Sequence, residues 1–309
     1  MTAPRPVPFN GIYHDIRRTF DGTFHLRPDP ACNQTVRFLL AHNATQHRIR
    51  LYAHSSLSNH QHTNFGDPEA RHPEFRQDLY SQETRTLNRL RKTKGPKWTP
   101  DDQCTILLGD PEAVLDSIAY TIANPVHHNL VETPEEWPGF LSLVEDLCAP
   151  PRLIRRPAIL DEYESTFPKE VYLEFQKPLL FHDWSDTEYR DEIRRRVDEK
   201  CEHAASERKR PVAGRIAVLS SDPTDRPSTP PKSNRDTPRV AAKNVGVRRL
   251  LRLWIVLFVD EHREARQRFE GHEWTVEFPA NTYWHRRRYG VNCRTADPPG
   301  GLDLAPISA

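Results

Sequence analysis

Cysteine is scarce in this chain and follows no pattern. The 309 residues include five cysteines, and no two of them form a CxxC pair. Small disulfide-stapled domains and thiolate zinc sites both depend on closely spaced cysteines. The scattered and odd number of cysteines therefore argues against a disulfide framework and against a zinc centre built on thiolates.

Long apolar runs are also missing. The longest purely apolar stretch is the segment 253–259, far short of the roughly 20 residues that a membrane-spanning helix needs. The first residues, MTAPRPVPFNG, contain no apolar core of the kind that a secretory signal has. We therefore expect no membrane partner and a cytoplasmic location.

An excess of charge of one sign is the third absence. Lys and Arg number 44 against 43 for Asp and Glu, which gives a formal net charge of +1. The composition as a whole thus lacks the strong basicity that often accompanies nucleic-acid binding. Any attraction for phosphate has to come from local patches such as Arg286–Arg288.

Hydrophobic periodicity divides the first part of the chain into strands and helices. Alternating residues predict strands at 11–20 and 47–57, and helical spacing predicts helices at 33–45, 73–93 and 111–123. This order of elements predicts an α+β or α/β sandwich of about 140 residues.

The remaining sequence changes in character. We predict a partly helical accessory region at 141–219, which includes a charged helix that begins at Ser185, and a mobile linker rich in proline and serine at 220–238. The extension at 239–294 is predicted to contain one long helix with a well-buried middle and a strand after it. Three residues of that strand alternate: Trp274, Val276 and Phe278.

Two histidines stand at alternate positions after the second predicted strand. His60 and His62 flank Gln61, so both imidazoles project from the same face of an extended strand. Such a pair can bind a divalent metal. The alternative is two exposed histidines at a strand end, in a chain that has 15 histidines.

A tyrosine and an asparagine share one side of the helix predicted at 111–123. Tyr120 and Asn124 are neighbours at i and i+4, nearly opposite the apolar stripe formed by Val114, Leu115, Ile118 and Ile122. Because a core tyrosine would join that stripe, we predict that Tyr120 faces solvent or a cleft. The alternatives are an ordinary exposed tyrosine, and an Asn124 that ends the helix because Pro125 follows it.

Taken together, these segments resemble a known protein family. The segment 58–62 resembles the histidine–hydrophobic–histidine (HUH) strand of the single-tyrosine transposases. The segment 120–138 is similar to the tyrosine helix and the following turn of their REP-associated branch, with Asn-Pro-Val four residues after Tyr120 and then a Leu-Val and a Trp-Pro pair. The resemblance extends from about residue 11 to residue 140, and the remainder resembles the extension of long bacterial members.

The resemblance implies an HUH domain at 8–140 with an α+β fold. In this fold helices pack on an antiparallel sheet with a ferredoxin-like and RRM-like core, followed here by a mainly helical C-terminal extension. The resemblance also implies that Tyr120 is the nucleophile, and that His60, His62 and Asn124 bind a divalent metal, Mg²⁺ or Mn²⁺. Gln61 departs from the hydrophobic residue of the motif and lies on the opposite sheet face, which predicts weaker packing behind the site.

Three functions remain open. The first, which we favour, is a transposase that nicks and joins single-stranded or hairpin DNA through a 5′-phosphotyrosine, as a monomer or homodimer. The second is a DNA-binding protein of the same fold that has lost cleavage, and the third is a metal-dependent hydrolase that needs no covalent tyrosine. Candidate general bases are His127 and His128, and candidate DNA-holding segments are 85–97 and 283–289.

Overall fold

The structure of the protein is a computed structural model, and it describes residues 4–163, 167–227 and 239–295. Its strands are β1 (Gly11–Thr19), β2 (Arg50–Ser56), β3 (His60–Asp67), β4 (Trp98–Leu108), β5 (Arg152–Arg155), β6 (Glu170–Leu173) and β7 (Val240–Ala241). Five of them form a sheet in the order β2-β3-β1-β4-β7, while β5 and β6 form a separate antiparallel pair. The pairing within the large sheet is antiparallel except between β4 and β7, which run parallel.

Helices lie between and after the strands of the described chain. The α-helices are α1 (Pro30–Gln46), α2 (His72–Leu90), α3 (Pro111–His127), α4 (Asp186–Ser206), α5 (Gly214–Ser220), α6 (Val245–Glu270) and α7 (Trp284–Tyr289). Short 3₁₀ turns occur at Phe20–Gly22, Pro134–Glu136, Val144–Asp146, Ala158–Tyr163 and Leu179–Phe181. The predicted α+β fold, with helices on a mainly antiparallel sheet and a helical C-terminal region, is confirmed.

The sheet has a different helical layer on each face. Helix α3 lies on one face, where Asn64 of β3 is hydrogen-bonded to Thr121. Helix α2 lies on the other face, where Gln61 is hydrogen-bonded to Glu83. Because successive strand residues point to opposite faces, His60, His62 and Asn64 of β3 all face α3.

Helix α3 is buried on the apolar stripe that its sequence predicts. Val114, Leu115, Ile118 and Ile122 are each at most 1% exposed. Asp110 caps the helix by accepting a hydrogen bond from the Ala113 backbone amide at 2.7 Å. Helix α4 packs against α3, and an ion pair between Asp116 and Lys200 at 2.6 Å joins the two helices.

The prediction that α3 ends at Ala123 is wrong. The helix continues through Pro125 to His127, although proline disfavours helical backbone in the residue before it. The turn is held from both sides, because the His128 backbone amide bonds to the Asn124 carbonyl at 3.1 Å and Val126 is buried against Leu57 and Trp137. Tertiary packing therefore overrides the local preference, and Asn124 lies inside the helix.

The C-terminal extension differs from its sequence prediction in two respects. Helix α6 begins at Val245 because the Asn244 side chain caps it, and its middle is not well buried: Leu253, Val256 and Leu257 are 51–56% exposed. The predicted strand at 274–278 is absent, and Phe278 makes only an isolated bridge with Cys293. The apolar residues of α6 follow helical spacing, so the helix was predicted correctly. Several of these residues are exposed, so the predicted burial was too high.

Two predictions concern the chain between the core and the extension. The charged helix after Ser185 is present as α4, with a capping box between Ser185 and Glu188. Of the predicted linker, 221–227 contacts the start of the core, because the Phe24 backbone amide bonds to the Asp225 carbonyl at 2.9 Å. The stretch 228–238 lies outside the described residues.

Candidate active site

Strand β3 and helix α3 position the four residues that the sequence singles out. The side chain of Asn64 is hydrogen-bonded to Ser117 at 3.2 Å and to Thr121 at 3.1 Å. This polar clamp fixes β3 against α3 two residues beyond His62. It therefore fixes the histidines of the strand relative to Tyr120 and Asn124 of the helix.

The structure brings all four residues together. His60 Nε2 lies 3.2 Å from Asn124 Oδ1, and the rings of His62 and Tyr120 have centroids 5.6 Å apart. The two histidine rings are 5.1 Å apart. His60, His62 and Asn124 are buried, whereas Tyr120 is partly exposed. The phenol thus faces a cleft lined by imidazoles, in agreement with its position on the helix.

The hydrogen bonds of His60 set its tautomer. Its Nδ1 lies 2.8 Å from Asn59 Oδ1, and an amide oxygen only accepts hydrogen bonds. With the Asn59 amide in this orientation, His60 Nδ1 carries the proton, and the lone pair of Nε2 points at Asn124 Oδ1, a second acceptor. A cation between the two atoms, or a 180° rotation of the Asn124 amide, resolves this conflict. Asn124 Nδ2 is buried and has no hydrogen-bond partner in the described structure.

His14 is a site residue that the sequence reasoning missed. It lies on β1, is 6% exposed, and its Nε2 is 2.8 Å from His62 Nδ1. When His62 Nδ1 donates this hydrogen bond, the lone pair of His62 Nε2 is left free. A hydrogen bond of this kind orients a metal-binding histidine.

Two imidazole nitrogens and one amide oxygen form a set of donor atoms that suits a divalent cation. Within the described ranges, no group of three or more His, Cys, Asp or Glu side chains is arranged to hold a metal ion. A metal at this site therefore requires the amide oxygen of Asn124 as its third protein ligand, beside His60 and His62. The facing acceptors of His60 and Asn124 are the observation that favours such binding.

Burial keeps the imidazoles neutral. It lowers the pKa of His60 and His62 well below the usual value, with further lowering from neighbouring histidines and Arg18. Burial also lowers the pKa of His14 to about 4. A neutral imidazole retains the lone pair that a metal ligand needs.

The electrostatics of Tyr120 point in two directions. Burial raises the pKa of its phenol, while the neighbouring Asn124 side chain and the positive charge of Arg18 oppose that shift. Arg18 of β1 is a second residue that the sequence reasoning missed. Because the net pKa shift is upward, the phenol is protonated at neutral pH and needs a proton acceptor before it can attack.

The two candidate bases occupy different positions. The ring of His127 is 5.4 Å from that of Tyr120, whereas the ring of His128 is 4.8 Å from that of His60. Burial lowers the pKa of His127, so its imidazole is neutral at pH 7. His127 is therefore the better placed proton acceptor for the phenol.

The strand behind the histidines is not loosely packed. Gln61 is 1% exposed and its Nε2 donates to Glu83 Oε1 of α2 at 3.2 Å. Burial raises the pKa of Glu83 to about 8, so the carboxyl is mostly protonated at pH 7. Glu83 gives Gln61 one polar partner, while Gln61 Oε1 and Glu83 Oε2 are buried without a hydrogen-bond partner in the described structure, so the expected weakening is offset only in part.

The two predicted DNA-holding segments differ in the side chains that they expose for contact with DNA. In 85–97, Arg91 is bonded to Asp29 at 2.5 Å and Lys97 is buried beside His25, so both serve the fold. In 283–289, which includes α7, Trp284 and Tyr289 are exposed along with neighbouring arginines. Exposed aromatic rings distinguish the second segment, since Arg85, Arg89, Lys92 and Lys94 of the first are exposed as well.

Comparisons with known proteins give the following. No protein-family model matches the chain, and no curated protein matches it in sequence. A solved structure of a REP-associated tyrosine transposase bound to a REP hairpin is similar over 47% of this chain and 84% of its own, with 15% identity and a TM-score of 0.40. A protein from Deinococcus radiodurans R1 that is assigned as a transposase is similar over 34% of this chain and 85% of its own, with 20% identity and a TM-score of 0.28. Within the described chain, no helix is long and apolar enough to cross a membrane.

Proposed function

We propose that the protein is a transposase-like DNA nickase and strand transferase that acts in DNA transposition. It cleaves single-stranded or hairpin DNA through a covalent link between Tyr120 and a 5′ phosphate. The supporting observation is the packing of one partly exposed phenol against the neutral imidazoles of His62 and His14, next to the amide oxygen that faces His60. A nucleophile and a set of metal ligands side by side are what phosphodiester transesterification requires.

His60, His62 and Asn124 hold the divalent metal in this proposal. Imidazole ligands favour Mn²⁺ over Mg²⁺, which prefers oxygen. The bound ion would supply Lewis-acid stabilisation of charge on the scissile phosphate. His14 orients His62 through its hydrogen bond, and Arg18 adds positive charge that attracts the DNA backbone and favours the phenolate.

Tyr120 forms the covalent link. His127 accepts the phenol proton, and the phenolic oxygen attacks the phosphorus. A bond from this oxygen to phosphorus forms while the bond from phosphorus to the 3′ oxygen breaks, and the departing strand takes up a proton as a 3′-hydroxyl. Since one phosphodiester replaces another, the attack of a second 3′-hydroxyl can reverse the reaction and join strands without ATP. All the proposed residues belong to one chain, so a monomer can contain the whole site.

The test is the formation of a protein–DNA adduct. Labelled single-stranded hairpin oligonucleotides from the sequence flanking the gene are incubated with the protein in Mn²⁺ or in EDTA, and the products are separated on a denaturing gel. A covalent adduct in Mn²⁺ is expected for the wild type. Tyr120→Phe should reduce it about 10³-fold or more, the scale of loss seen when a nucleophile is removed.

Tyr172→Phe is the matched control, because Tyr172 is 65% exposed on β6 and should leave the adduct unchanged. DNA that is bound but uncut would instead indicate a DNA-binding protein that keeps the fold without cleavage. Cleavage that persists in Tyr120→Phe would assign the attack to water, as in a metal-dependent hydrolase.

A further inference from the structure

A cleft of about 830 Å³ lies on the α2 face of the sheet, opposite the face that carries Tyr120. Tyr13, Thr105 and Leu107 of β1 and β4 form its floor, whereas His14 between them faces α3. Its walls come from the N-terminal segment, α2, α6 and the start of α7. The C-terminal extension is held there because β7 pairs with β4 and the Val7 amide bonds to the Asn281 carbonyl at 2.9 Å.

The lining of this cleft carries charge of one sign. Among the described residues that line it, none is acidic, and the arginines are Arg5, Arg76, Arg239, Arg263 and Arg266. The chain as a whole is balanced, with 44 basic and 43 acidic residues. The excess of arginine in the cleft is therefore local and does not reflect a basic composition of the whole chain.

Neighbouring carboxylates compensate these charges only in part. Arg76 is paired with the buried Asp15 at 2.7 Å, Arg263 with the exposed Asp260 at 2.8 Å, and Arg266 with the exposed Glu270 at 2.7 Å. Partial removal from water lowers the pKa of Arg5, and the nearby charges of Arg239 and Arg76 lower it further. Like charges held together in a cleft raise the free energy of the protein, and a bound anion lowers it.

Aromatic side chains stand among these arginines. Trp284 is 62% exposed at the start of α7, and Trp254 is half-buried on α6. Phe258 and Tyr283 pack beneath them. Proteins bind single-stranded nucleic acid with two elements: arginines that follow the phosphate backbone, and exposed aromatic rings on which the bases stack. A duplex keeps its bases stacked, so it offers phosphates but no free base to Trp284.

We propose that this cleft is a second DNA site, in which arginines bind the phosphates of a single strand and Trp284 stacks on an unpaired base. This inference rests on the proposed function for its ligand class, but it does not require Tyr120 to be reactive. It also assigns a role to the extension: α6 and α7 complete a binding surface that the sheet and α2 form only in part.

The test measures binding without cleavage. Full-length protein in EDTA is titrated into fluorescein-labelled oligo(dT) of 15 nucleotides, which forms no hairpin, and the anisotropy is recorded. Trp284→Ala should weaken binding by about 5- to 100-fold, the loss typical of a stacking residue, and Trp284→Phe should recover part of it. Arg263→Glu should also weaken binding, by about tenfold or more, and reduce its sensitivity to salt, because fewer counterions are released from the DNA.

The matched control is Arg252→Glu, the same charge change at an exposed position of α6 outside the cleft. It should leave the affinity within about twofold of wild type. Wild-type affinity in both Trp284→Ala and Arg263→Glu would overturn the proposal, and circular dichroism establishes that the variants are folded. Equal competition by duplex DNA or by polyglutamate would also overturn it, since it would show an anion site without base recognition.

Each of the two proposals can be refuted without refuting the other. Oligo(dT) binding that depends on Trp284, with no adduct on any hairpin, would leave the cleft assignment intact and refute the nickase. An adduct that depends on Tyr120, with oligo(dT) binding unaffected by the cleft variants, would do the reverse.

Discussion

The two faces of the central sheet carry buried polar groups of different kinds. On the α3 face these groups are neutral: the imidazoles of His14, His60 and His62 and the amide of Asn64. On the α2 face they include a paired charge, Asp15 with Arg76, and the carboxyl of Glu83. Burial of a neutral group costs less free energy than burial of a charge, which must be paired. Strand alternation thus lets the same strands place neutral imidazoles on one side and a buried ion pair on the other.

The largest expected effect comes from breaking the ion pair on the α2 face. Arg76→Leu leaves the carboxylate of Asp15 buried with only Thr105 and Tyr80 as hydrogen-bond donors. Removal of one partner of a buried ion pair lowers the free energy of unfolding by about 3–5 kcal/mol. Urea denaturation measures this loss. Arg85→Leu, at an exposed position of the same helix, should change stability by less than about 0.5 kcal/mol. Equal stabilities of the two variants would contradict this account of the α2 face.

The second effect is a pH dependence of stability that originates at Glu83. Its folded-state pKa is about 8 against an ordinary value of 4.5, because burial disfavours the carboxylate. Between these values the unfolded chain has released a proton that the folded protein keeps. Stability therefore falls as the pH rises through this window, by about 1.4 kcal/mol per pH unit.

Glu83→Gln should remove this slope. The wild type should lose about 2–3 kcal/mol more stability than the variant between pH 6 and pH 8, as measured by urea denaturation at both pH values. Parallel pH profiles for the two proteins would show that Glu83 is not protonated in the folded state.

The smallest expected effect on stability, and a specific effect on activity, comes from the α3 face. His14→Phe keeps a buried ring but removes the hydrogen-bond partner of His62. The Mn²⁺ concentration for half-maximal adduct formation should rise about 10- to 100-fold, as for other residues that orient a metal ligand. His14→Asn should restore part of the affinity, and His42→Phe on α1 should have no effect. An unchanged Mn²⁺ requirement in His14→Phe would exclude the orienting role.

Local patterns in the sequence were sufficient for β1, β2 and the first three helices, and for part of the site. The apolar stripe of α3 placed Tyr120 and Asn124 side by side, and the alternation around Gln61 placed His60 and His62 on one face. Both inferences depend on residues within one helical turn or one strand, where geometry follows from spacing alone. The confirmed α+β fold shows that such local patterns can predict the fold class.

The parts that could not be predicted depend on contacts between distant segments. His14 meets His62 only because β1 pairs with β3 across 48 positions. Strand β4 was missed because Pro100, Asp101 and Asp102 interrupt its apolar pattern. Helix α3 continues past Asn124 because the residues around Pro125 are buried by other elements, which sequence spacing does not reveal.

Hydrogen bonds along the outer strands of the sheet have a consequence for self-association. The outer edge of β2 is bonded to later segments through Phe140, Ser142 and Gln176, and the end of β4 is bonded to Arg239 and Ala241 around β7. An exposed strand edge is a template on which a second molecule can add its own strand and start an aggregate. Segments from the accessory region and the extension occupy the outer edge of β2 and the end of β4, so a chain shortened to the first 140 residues should precipitate more readily than the full protein.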